Sequence, residues 1–102
     1  GYGTLDNCTL HMINTIDEFP AQEDYIHWED TPLELVSMTG VIADGEPHIH
    51  AVVSDKDHAT GGHLERGCTV IYLAEIVIVE HRNLRLTRNP TEWGPLALDP
   101  KE

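Results

Sequence analysis

Cysteine and positive charge are scarce in this chain, and long apolar runs are missing. Its two cysteines, Cys8 and Cys68, lie far apart and form no C-x-x-C pair, which argues against a disulfide framework and a thiolate zinc site and leaves two packed thiols. Six Lys and Arg face 18 Asp and Glu, a net charge of −12. Most of the surface therefore repels polyanions, and charge disfavours direct binding to DNA or RNA. No segment approaches the ~20 apolar residues of a membrane-spanning helix. The start, Gly1 to Asp6, lacks the basic and apolar regions of a signal peptide. These absences set the expectation of a soluble, cytoplasmic domain with no membrane partner. The chain also opens on a strand-like segment without an initiator Met, as expected of a fragment.

What is present suffices for one fold. At 102 residues the chain is a single domain, 1–102, with one modest core. Leu, Ile, Val and Phe make up about a quarter of it, above the level at which chains stay disordered. Thr4 to Ile13 is rich in Thr, Leu and Ile with partial alternation, and reads as a strand. From Asn14 to Thr31, acidic residues, Pro20 and the aromatics Phe19, Tyr25 and Trp28 mix without a period, the pattern of a long ordered loop with room for one helical turn. Leu33 to Ala43 and His48 to Ser54 read as strands around the turn Asp44-Gly45-Glu46-Pro47. Asp55 to Gly62 reads as a polar turn, Cys68 to Glu80 as the longest strand, and Asn83 to Thr87 as its hairpin partner. Short connections favour an antiparallel meander. The tail from about 89 to 102, with three prolines, is expected to be irregular. With almost no helix to cover such strands, oligomerisation is the natural remedy.

The chemically informative stretch is Pro47-His48-Ile49-His50 followed by Gly61-Gly62-His63-Leu64. Strand residues i and i+2 share a face, so His48 and His50 project side by side, while Ile49, Ala51 and Val53 face the core. His63 returns after a hairpin-length segment to their level. Three imidazoles with an open fourth position suit zinc or another divalent ion. The two glycines before His63 permit a close backbone approach. His11, His27, His58 and His81 read as ordinary surface residues. Glu75 is the lone carboxylate on the face of Thr69, Ile71, Leu73, Val77 and Val79; as a desolvated group it is a candidate catalytic acid/base or a support for a ligating His. Asp55 and Asp57 are further candidate bases. Arg82, Arg85 and Arg88 hold half the positive charge, on a solvated strand or against a carboxylate, a phosphate or a neighbouring subunit.

These same segments resemble the plants-and-prokaryotes-conserved domain. The resemblance runs over Leu33 to Ile42, Pro47 to His50, Gly61 to Leu64, Gly67 to Val70 and Ala74 to Ile78, with Gly3-Thr4-Leu5 ahead of them. It implies an α+β domain with a mainly antiparallel sheet, assembled as a homotrimer, in which His48, His50 and His63 sit together and hold a metal in stand-alone prokaryotic members. The family's usual strand and helix ahead of Gly3 are absent here. Plant relatives owe their DNA-binding label to basic AT-hooks, and no such element occurs in this sequence.

Two functions compete at this level. One is a trimeric metal-binding domain, extending to hydrolytic or lyase-type chemistry on a small-molecule ligand at the open coordination position. The other is a non-enzymatic regulatory or oligomerisation module. A cupin-like barrel also places H-x-H on a strand, but the glycine expected six residues before the first His is Ile42 here, and Ser54 and Asp55 stand where a Glu is expected.

Overall fold

In a computed structural model describing residues 1–101, the chain forms eight strands: β1 (Tyr2–Ile13), β2 (Glu23–Trp28), β3 (Leu33–Ala43), β4 (Glu46–Ser54), β5 (Ala59–Leu64), β6 (Thr69–Glu75), β7 (Leu86–Pro90) and β8 (Leu96–Pro100). Every pairing is antiparallel. The α+β class implied by the resemblance is not met, because no described residue is helical. The apolar segments alternate or are β-branched, and none carries a sustained 3.6-residue period.

β1 organises the sheet. One of its edges takes β2 at Cys8–Ile13 and β3 at Gly3–Leu5; the other takes β5 at Leu10–His11 and β6 at Tyr2–Asn7. Because β3 pairs β4 and β4 pairs β5, the path β1–β3–β4–β5 returns to β1 and closes into a ring. The ring encloses Leu5, Cys8, Leu10, Leu33, Leu35, Ala51 and Val53. In β1 the buried positions step from Leu5 to Cys8 and Leu10, so the alternation changes phase where the β1–β6 register shifts. That shift turns His11 outward.

The β3–β4 hairpin turns on Asp44 and Gly45, both with positive φ (53° and 76°), the conformation a two-residue hairpin needs. The β4–β5 turn is built on Asp55, whose Oδ1 accepts the backbone N–H groups of Asp57 and His58, each at 2.7 Å.

Four segments differ from expectation, the shortest being Ala59 to Gly62, read as part of a turn and found in β5. The stretch read as a loop from Asn14 to Thr31 contains β2, because β1 is long enough to template a partner at Glu23–Trp28. The strand expected from Cys68 to Glu80 ends at Glu75. Leu86–Pro90 pairs with Leu96–Pro100, not with residues 68–80, so a small second sheet stands where an irregular tail was expected. The final residue of that tail, 102, lies outside the described residues.

Candidate metal centre

The register of three strands assembles the site. His11 on β1 is directly opposite His63 on β5, and His63 is directly opposite His50 on β4. Opposed residues share a face, so three imidazoles stand in a cross-strand row, and His48, two residues before His50, joins them. Ring centroids lie 5.1 Å apart for His48–His50, 5.0 Å for His48–His63, 5.5 Å for His50–His63 and 4.3 Å for the stacked His11–His63 pair. The Nε2 atoms of His48 and His50 are 3.3 Å apart. The structure thus brings His48, His50 and His63 together at one place.

Two carboxylates border the row. Glu65, two residues past His63, contacts His11 Nδ1 through Oε1, and the same oxygen is 3.1 Å from His63 Nδ1. Apart from that carboxylate contact, the buried His63 Nδ1 has no hydrogen-bond partner among the described residues. Glu23 on β2 reaches His11 Nε2 at 3.7 Å, and Tyr25, opposite His11, lies 5.3 Å from its ring. Donor atoms of His11, His63 and Glu65 all lie within 4.8 Å of one another. Burial holds the His63 pKa below its ordinary value, helped by the neighbouring His11 and opposed by Glu65. His48 is lowered as well, by burial first and then by Arg88 and the other imidazoles. Both rings are thereby held toward the neutral form that ligates cations.

Gly62 explains the second half of the diglycine. A Cβ there would stand 2.7 Å from the His11 carbonyl oxygen, whereas at Gly61 the nearest atom would be at 3.5 Å. The close approach of β5 to β1 needs a glycine at 62.

Sequence reading missed His11, Glu65 and Glu23. His11 looked like a surface residue because the phase shift in β1 is invisible without the partner strand. A signal for Glu65 was available: it shares the i+2 face with His63. Glu75, in contrast, pairs with Tyr2 at the opposite end of β1, nine residues from His11 and so roughly 30 Å away at strand rise. It is exposed and accepts a hydrogen bond from the Tyr2 hydroxyl. The face it was placed on is uncovered in the single chain, so the expected desolvation is missing there. Asp55 is engaged in its turn, and Asp57 is exposed in the same turn. Both cysteines are free, Cys8 buried and Cys68 half-buried.

A mainly antiparallel sheet and the grouping of His48, His50 and His63 are the two features of the resemblance that the structure shows. The Plants and Prokaryotes Conserved (PCC) domain matches residues 1–82, and the chain belongs to that family. It is also similar to two proteins named Bifunctional protein GlmU. One, from Synechococcus sp. strain JA-3-3Ab, is 33% identical over 86% of this chain. The other, from Synechococcus sp. strain JA-2-3B'a(2-13), is 29% identical over 86%. The chain spans only 13% of the length of either relative.

Proposed function

We propose that the chain is a divalent-cation-binding domain whose centre is His63 with His48 and His50, and that it works as a self-associated oligomer, a homotrimer as the family resemblance implies. The observation that carries the reading is the cross-strand row itself. Two strands, β4 and β5, deliver His48, His50 and His63 to one patch with ring separations of 5.0–5.5 Å, and no other group in the row offers His48 and His50 a competing hydrogen bond. Imidazole donors suit zinc among common divalent ions. With three protein ligands, a bound ion keeps a position for water or a small-molecule ligand, where it supplies Lewis-acid chemistry. Burial holds the His48 and His63 rings toward the neutral form, and Glu65 borders the row with a carboxylate.

The test is metal analysis by mass spectrometry of the chain purified without a histidine tag or chelator, beside His48→Ala/His50→Ala. Zinc in the parent and a clear drop in the variant are the expected result. Absence of metal from both overturns the reading.

A second reading, an assembly module, is favoured by a separate observation. The accessible surface is 7723 Å², against about 5,800 Å² for a folded monomer of this mass, and β6 with the segment after it is apolar and exposed. The matching segments of the GlmU relatives are a small part of much longer chains, as expected if such a module is joined to a larger protein. An unaltered oligomer and function in His48→Ala/His50→Ala would favour this reading over the first.

A further inference from the structure

The row contains more donors than one ion can use. Four imidazoles and two carboxylates share the face, whereas a tetrahedral zinc centre takes four ligands. The donors also fall into two groups of different chemistry. On one side His48 and His50 bring their Nε2 atoms within 3.3 Å, an all-imidazole set. On the other side His11, His63 and Glu65 offer donor atoms within 4.8 Å of one another, with His63 Nδ1 3.1 Å from Glu65 Oε1, a mixed imidazole–carboxylate set.

We propose that this second group is a cation position of its own, beside the one at His48 and His50, with the His63 ring standing between the two. The inference rests on the reading of the row as a cation centre. Its strongest support is the orphaned His63 Nδ1, a buried nitrogen with no hydrogen-bond partner that lies 3.1 Å from Glu65 Oε1. A cation held by His11, Glu65 and that nitrogen would satisfy it. The two nitrogens of an imidazole stand on different edges of the ring, so engaging Nδ1 here leaves Nε2 for the His48–His50 side. With both positions filled the ring serves as imidazolate, one nitrogen to each ion, and its N–H proton passes to the buffer. Two dications close together need anionic compensation. Glu65 supplies it directly, and Glu23, 3.7 Å from His11 Nε2, adds to it. The mixed donor set takes zinc and also admits harder ions such as manganese or ferrous iron, which an all-imidazole set favours less.

Equilibrium dialysis of the untagged chain against zinc, with the bound metal counted per chain, tests this. Two zinc ions per parent chain are expected. Glu65→Gln and His11→Asn should each retain one, His48→Ala/His50→Ala should retain one, and His63→Ala should lose most of both. Circular dichroism of each variant confirms that the sheet is kept; the two substitutions on the His11 side are independent, so a misfolded Glu65→Gln leaves His11→Asn to decide. One zinc in the parent that survives Glu65→Gln and His11→Asn overturns the second position and leaves the first intact. One zinc lost in all of these variants shows a single shared ion and overturns it too. No zinc in the parent overturns both readings.

Discussion

His63 is the residue on which the site turns, because it is opposed by an imidazole on both sides and carries a buried nitrogen without a partner. Its neighbour His48 gives a measurable consequence. The pKa of His48 is lowered in the folded chain from 6.5, chiefly by burial, so the unfolded chain takes up a proton more readily than the folded one. Stability from this group is therefore present above about pH 6.5 and lost as pH falls through and below it. In metal-free protein, denaturation between pH 7 and 5.5 should show the parent losing stability more steeply than His48→Gln. Equal slopes would show that His48 is not desolvated.

At the scale of elements, the diglycine separates a structural glycine from a tolerant one. Gly62→Ala forces a Cβ onto the backbone oxygen of His11 and should cost about 1–3 kcal/mol, as overpacking does, with loss of the His11–His63 pairing. Gly61→Ala meets only ordinary contact distances and should stay within about 0.5 kcal/mol of the parent. Urea denaturation of the two variants side by side checks this; equal midpoints would place the strands further apart than described here. The same elements show what a sequence can and cannot disclose. The β3–β4 hairpin was legible because Asp44-Gly45 demands a tight turn and the alternation around it is regular. The convergence of His50 with His63 followed from hairpin length alone. β2 was hidden, since its charged and aromatic residues carry no period and only the edge of β1 makes them a strand. His11 and Glu23 were hidden with it, one by a register shift and one by belonging to that unrecognised strand. The surroundings of Glu75 were not legible for a different reason. An apolar strand face suggests burial, and in the single chain the residues beside Glu75 are exposed.

The exposed apolar segment from Val70 to Val79 dominates the whole molecule. Tyr72 is 93% exposed and Val77 85%, with Val70, Ile71, Leu73, Ile76, Ile78 and Val79 also uncovered. The radius of gyration, 15.2 Å, exceeds the roughly 13 Å of a compact domain of this length. Apolar exposure on this scale is what an assembly interface leaves uncovered in a single chain, and it supports the proposed self-association. In sedimentation equilibrium the parent should run as an oligomer, and Val77→Asp/Val79→Asp should shift it toward the monomer while leaving the β3–β4–β5 sheet intact by circular dichroism. A monomeric parent at micromolar concentration would remove self-association from the proposal.

The ring of strands has a weak seam. β5 meets β1 through only two register pairs, Leu10 with Leu64 and His11 with His63, and one of those pairs belongs to the imidazole row. An ion held across it would act as a clasp on the barrel, so that loading the site and closing the fold become one event. Amide exchange in β5 should then slow on addition of zinc, while exchange in the β7–β8 hairpin, which shares no pairing with the seam, stays as it was.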